Sequence, residues 1–211
     1  MSILNELSIF LQQGKANNVK EQVSKALEDG ISAQQILDEG LLSGMNIVGE
    51  KFKNNEVYVP EVLIAARAMN AGMEVLNPVL VSANIQSKGK AVLGTVKGDL
   101  HDIGKNLVKI MFEGKGIEVI DLGTDVSPQQ FIDTAIKEKA DIIGCSALLT
   151  TTMTVMKDVV KEAEDKGVRN KIKIMVGGAP VTQDYCDSIG ADYYTPDAAS
   201  ASDVALKICT G

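Results

Sequence analysis

The spacing of apolar residues changes once along this chain, and the change restricts the possible folds more than any single motif does. From Ser2 to about Val81 they recur at three and four positions, as in Leu37, Leu41, Leu42, Met45, Val48 and Phe52, the period of an amphipathic helix face. The pattern breaks near Gly14 and near Gly30, where Ser32 is a candidate N-cap, and again at NNEVYVPE, where Pro60 suits the first turn of a further helix. These breaks predict four helices, each too short or too one-sided to stand alone, and therefore a small bundle. Beyond the polar segment SANIQSKGK the signal becomes short apolar runs: AVLGTV, IEVIDL, ADIIGCS, KIMVGG and ADYYT. Between them lie helix-length stretches beginning near Ile103, Pro128, Thr152, Val181 and Ser202, the second opened by the capping-box sequence Ser127-Pro128-Gln129-Gln130. That alternation predicts a parallel sheet wrapped by helices.

The expected class is therefore α/β, with a four-helix N-terminal bundle over residues 1–85 and an open parallel five-stranded sheet of flavodoxin or Rossmann type, flanked by helices, over residues 90–211. A chain of 211 residues with 45% hydrophobic content can bury enough core for both parts. Cys145, Cys186 and Cys209 form no CxxC pair and leave an odd count, which argues for reduced thiols and makes the cytoplasm the expected compartment. The N-terminal MSILNELSIFLQQGK has Asn5 and Glu6 inside its apolar stretch and no basic leader, so neither a signal peptide nor a membrane span is expected. A net charge of -7, spread over both halves, offers no basic face for phosphates and weighs against nucleic-acid binding. The expected partner is a small molecule or another protein.

In an open α/β sheet ligands sit at the carboxyl ends of the strands. The loop VKGDLHDIGKN, following the first strand, holds the only histidine of the chain, His101, between Asp99 and Asp102 and bracketed by Gly98 and Gly104. An Asp-x-His pair can serve as a metal or cofactor ligand assembly, because the carboxylate accepts the proton on one ring nitrogen and makes the other a better donor. The glycines would let a broad planar ligand approach the backbone. On these residues alone, a surface histidine in a turn is an equally good reading. Small residues also collect near other strand ends, Gly94 in the first strand, Gly144 and Ser146 in the third and Gly177-Gly178 in the fourth. Together they predict a slot running into the sheet, although close helix packing accounts for any one of them.

The order Asp99-x-His101-x-x-Gly104, then Ser146-Ala147-Leu148, then Gly177-Gly178 resembles the DxHxxG, SxL and GG signature of the cobalamin-binding domain of methionine synthase and of the corrinoid proteins of methyltransferase systems. EKFKNNEVYVPEVLIAARAM resembles the helical cap that precedes that domain, so nearly the whole chain is covered. The resemblance implies cobalamin as cofactor, cycling between cob(I)alamin and methylcobalamin, with His101 replacing the dimethylbenzimidazole base as lower axial ligand to cobalt. It further implies that Asp99 hydrogen-bonds the distal ring nitrogen and that Thr152 stands where the family has a serine contacting the aspartate, a departure that keeps the hydroxyl. The implied cofactor contacts run through Gly98, Asp99, Leu100, His101, Asp102, Ile103 and Gly104, with Ser146, Leu148, Thr150, Gly177 and Gly178 around the nucleotide tail. Phe52 and Val59 match the two apolar residues that cover the upper face, Val59 in place of the usual leucine; core packing between helices is the competing account of both.

What the resemblance implies about activity is a methyl shuttle, because no zinc-type Cys/His cluster or second histidine offers a substrate-activating site. The implied partners are a substrate-specific methyltransferase, an acceptor methyltransferase using a folate such as tetrahydrofolate or a thiol, and a reductive activase. An adenosylcobalamin-dependent mutase subunit shares DxHxxG but not the cap. A cobalamin-sensing regulator shares the cap but would normally carry a DNA-binding unit. A flavodoxin-like or receiver module finds no support, since no paired acids precede the loop and no P-loop or GxGxxG follows a strand.

Overall fold

The computed structural model describes residues 2–211, and the chain divides into two compact units, Met1–Ser87 and Lys88–Gly211. In the first, α1 (Ile3–Gln12) begins at Ser2, whose hydroxyl accepts the Asn5 amide, and α2 (Ala16–Glu28) follows after Gly14, which turns the chain at φ 68°. A second left-handed glycine, Gly30, separates α2 from the helix capped by Ser32, whose Oγ accepts the Gln35 amide at 3.3 Å. That helix starts as α3 (Ala33–Gln35), widens to a π-helical stretch over Ile36–Leu42 and continues as α4 (Ser43–Lys53). Two glycines in it permit a close approach to α1: a Cβ on Gly40 would lie 2.5 Å from Leu7, and one on Gly44 only 3.1 Å from the Ser8 carbonyl. The last helix, α5 (Val59–Ser82), has Pro60 in its first turn, and Glu61 accepts the Tyr58 amide at 3.1 Å. Leu7, Leu11, Val19, Val23, Ile36, Leu41 and Leu76 are wholly buried. The four expected helices are present, the third lengthened by its π-helical middle.

The second unit is the predicted parallel sheet, with β1 (Gly89–Thr95), β2 (Ile117–Asp121), β3 (Ile142–Ser146), β4 (Lys173–Gly177) and β5 (Tyr193–Tyr194) in the order β2-β1-β3-β4-β5. Alternating side chains divide its two cores. Val92, Ile143, Ile174 and Val176 pack with Phe131 and Ile132 of α7 (Pro128–Glu138), Met156, Val159 and Val160 of α8 (Val155–Asp165), and Cys186 of α9 (Gln183–Ile189). On the other face Ala91, Leu93, Ile142 and Met175 meet Phe112 of α6 (Ile103–Glu113) and Ala201 and Ala205 of α10 (Ala198–Thr210). Burial on both faces is why these strands read as continuous apolar runs.

Three helix starts differ from expectation because local hydrogen bonds decide them. Asp197 caps α10 by accepting the Ser200 amide at 2.8 Å, Thr182 caps α9, and α8 begins at Val155 after a turn in which the Thr152 hydroxyl donates to Asp99 and the Met153 carbonyl accepts from Tyr185. No helix among the described residues is long and apolar enough to cross a membrane. Because β1 lies between β2 and β3, its outgoing loop and that of β3 flank a switch point, where such a sheet leaves a crevice at its carboxyl edge.

Candidate functional site

The two loops beside that crevice meet at one carboxylate. Asp99 is completely buried. Its Oδ1 accepts the His101 amide at 3.0 Å and lies 2.8 Å from His101 Nδ1, while Oδ2 accepts the amides of Leu148 at 2.8 Å and Leu149 at 3.3 Å and the Thr152 hydroxyl at 2.7 Å. Burial pushes against ionisation, but the hydrogen bonds from Thr152, from the backbone of His101 and Leu148 and from the imidazole outweigh it, holding the carboxyl well below the usual range. An ionised Asp99 cannot donate, so the proton between it and the ring belongs on Nδ1. Nε2 is then the nitrogen with a free lone pair, on a side chain that is 52% exposed.

Why the chain folds this way is local. Thr95, the buried last residue of β1, donates its hydroxyl to the His101 carbonyl at 3.0 Å. Gly98, at φ +85°, turns the chain so that residues 99 and 101 share one side of the loop. From β3, the turn over residues 148–154 delivers Leu148, Leu149 and Thr152, and the Tyr185 hydroxyl of α9 secures it by donating to the Met153 carbonyl at 2.7 Å. Thr152 Oγ1 is also 3.0 Å from the Leu149 carbonyl, but the carboxylate is the nearer and charged acceptor.

The row Thr95, Ser146, Gly177 crosses three neighbouring strands in register on the α6 and α10 face. Here the expected slot needs correcting. Gly94 points to the opposite face, where an added Cβ would lie 2.7 Å from the Phe131 ring, and one on Gly144 would meet Leu93 at 2.4 Å. Those two glycines serve close packing. Gly177, with nothing nearer than the Thr195 carbonyl at 3.9 Å, and Gly104, with nothing within 4 Å, face open space. Gly178 is required by backbone contact, since at φ +125° a Cβ would come 1.8 Å from the Ala147 carbonyl oxygen.

Around His101 the apolar side chains of Leu100, Ile103 and Leu148 are 73%, 77% and 45% exposed. Asp102 precedes α6 and accepts the Asn106 side chain at 3.0 Å, and Thr150 is exposed on the neighbouring turn. Phe52, near the end of α4, and Val59, the first residue of α5, are partly buried in the helical unit. Sequence reasoning missed Thr95, Asp125 and the buried Lys105. Asp125 Oδ1 accepts the Gly98 amide at 2.7 Å, and Lys105 pairs with Asp121 while donating to Asn106 at 2.7 Å. A lysine inside an otherwise apolar helix face was the one available signal.

Among the described residues no group of three or more His, Cys, Asp and Glu side chains could hold a bare metal ion. One oriented imidazole nitrogen, with exposed apolar side chains at Leu100 and Ile103 in the same segment, instead suits a metal whose other positions are filled by a macrocycle. The thiols are not alternatives: burial pushes Cys145 up to about 12, and burial together with Asp141 pushes Cys209 up to about 11.

Residues 89–203 match the family described as B12 binding domain, and residues 3–77 match a second B12 binding domain family. The chain is 41% identical over 211 residues to a corrinoid protein of Desulfitobacterium hafniense, covering 99% of this chain and 98% of the relative. It is 43% identical over 190 residues to trimethylamine corrinoid protein 1 of Methanosarcina acetivorans, covering 89% and 87%. Among solved structures, the methanol:cobalamin methyltransferase complex of Methanosarcina barkeri superposes with a TM-score of 0.91 at 31% identity, covering 99% of this chain and 80% of that one. A cobalamin-binding protein of Desulfitobacterium hafniense superposes with a TM-score of 0.80, also at 31% identity, covering 97% and 98%. The chain belongs to the corrinoid-protein family and binds cobalamin.

Proposed function

We propose that this chain is a methyl carrier that holds cobalamin through His101, with the cofactor's own base displaced, and passes a methyl group between a substrate-specific methyltransferase and an acceptor methyltransferase. The observation that carries the reading is the pair formed by His101 and the wholly buried Asp99, at 2.8 Å from Nδ1. It leaves Nε2 as the one imidazole nitrogen able to donate to a metal. When bound, the corrinoid supplies a cobalt centre able to accept and release a methyl group.

The protein's share is binding, orientation and proton placement. His101 would hold the cobalt through Nε2, and Asp99 keeps the ring in one tautomer. The carboxylate that fixes the ring is itself held by the Thr152 hydroxyl and the Leu148 and Leu149 amides. Gly177 and Gly104, where an added Cβ meets nothing closer than 3.9 Å, would let the cofactor approach the backbone, and Ser146, Thr150 and Leu148 would contact its nucleotide tail. For Phe52 and Val59 the support is the resemblance of their segment to the helical cap, whose apolar residues would keep water from a reactive ligand. The relatives support the carrier role, since they include trimethylamine and dimethylamine corrinoid proteins of Methanosarcina, and a structural neighbour is part of a methanol:cobalamin methyltransferase complex. We assign the chain to the cytoplasm, with a reductive activase as third partner.

The test is His101→Ala loaded with hydroxocobalamin and desalted. The variant should stay coloured, because the tail still binds, while its visible spectrum differs from that of the wild type. An unchanged spectrum in the loaded variant would count decisively against axial ligation.

A further inference from the structure

The chain enters the His101 loop through Gly98 and Asp99, which belong to no regular element. Gly98 is a soft joint, since a left-handed glycine has many other conformations open to it. Asp125, from the connection between β2 and α7, secures both residues. Its Oδ1 accepts the Gly98 amide at 2.7 Å, and its own amide donates to the Asp99 carbonyl at 3.1 Å. The turn that presents it is seated on the end of β1: the Thr95 amide donates to the Gly123 carbonyl at 2.9 Å, the Val126 amide donates to the Thr95 carbonyl at 3.0 Å, and Val96 pairs with Val126. Asp125 itself is left-handed at φ 57°, a conformation that Asp and Asn bear better than other residues with a Cβ. Among the described residues its carboxylate makes no ion pair, and Ser127, not Asp125, caps α7.

We propose that Asp125 is a positioning residue for His101. By pinning the Gly98 amide and the Asp99 carbonyl it holds the Asp99 carboxylate where it meets both the amide and the ring N–H of His101, and so sets the direction of Nε2. The role rests on the axial function proposed for His101. It acts through three links, Asp125 to the 98–99 backbone, that backbone to the carboxylate, and the carboxylate to the ring.

Two variants isolate the acceptor oxygen. Asp125→Gly removes it while relieving the left-handed backbone, and Asp125→Asn keeps both the oxygen and the tolerance of positive φ. In the full chain without cofactor, the Gly98 amide of Asp125→Gly should exchange with solvent on the order of ten times faster or more, as expected for losing a hydrogen bond to a charged group, with β3 unchanged. Loaded with hydroxocobalamin, Asp125→Gly should shift part of its visible spectrum toward that of His101→Ala, and Asp125→Asn should stay with the wild type. A wild-type spectrum in Asp125→Gly overturns the proposal whatever the exchange shows, as does Asp125→Asn behaving like Asp125→Gly. If the spectrum of His101→Ala itself matches the wild type, the axial function fails and this role with it; a shifted His101→Ala spectrum beside a wild-type Asp125→Gly spectrum overturns the positioning role alone.

Discussion

Asp99 combines complete burial with acceptance of hydrogen bonds at both carboxylate oxygens, so its charge is part of the folded state. Thr152→Val removes the 2.7 Å hydroxyl partner and leaves a buried charge with one donor fewer, a loss of about 1.5–3 kcal/mol in urea unfolding; Thr152→Ser, which keeps the hydroxyl, should recover most of it. The same carboxyl predicts a pH dependence. Its folded pKa lies below the ordinary 3.8, so it stabilises the fold at pH above that value and loses this contribution as pH falls through the window beneath it. Denaturation curves should therefore weaken from about pH 4 downward, and Asp99→Asn should lack that portion of the slope. The Asp99, His101 and Thr152 trio was legible from the resemblance. The amides of Leu148 and Leu149 were not, because a backbone donor leaves no mark on residue type.

Among strands and helices, the glycines divide by what surrounds them. Gly178→Ala should unfold the second unit or prevent its accumulation, since the new methyl would overlap the Ala147 carbonyl and the backbone is left-handed. Gly104→Ala lies in the first turn of α6 with nothing within 4 Å, so it should leave the cofactor-free protein as stable, or up to about 1 kcal/mol more stable, while weakening hydroxocobalamin retention. Equal cobalamin retention by Gly104→Ala and the wild type would remove Gly104 from the contact surface. The apolar runs predicted all five strands, yet Gly94 and Gly144 were misread as slot residues. Both sit in strands buried on two faces, and only the packing of Phe131 and Leu93 reveals which face each small residue serves.

Two compact units joined near Ser87 make the whole chain divisible. The segment from Val81 to Asn84 and the residues from Gln86 to Lys88 are exposed, so brief trypsin treatment of the cofactor-free protein should cut first after Lys88 and give one fragment for each unit. Mass spectrometry would identify the cut, and first cleavage inside α5 or β3 would contradict this division. The sequence by itself determined the element types, the change from helical bundle to parallel sheet, and the Asp-x-His pair carrying the one imidazole of the chain. Hydrophobic period and turn chemistry are local properties that any short window displays. Only the tertiary structure decided that the loops after β1 and β3 close on Asp99, that Asp125 and Thr95 brace the histidine loop, and which glycines face open space. Except for the bond from Thr95 to the His101 carbonyl, six residues on, these contacts join residues far apart in the chain, and their proximity exists only once the strand order β2-β1-β3-β4-β5 brings those strand ends side by side.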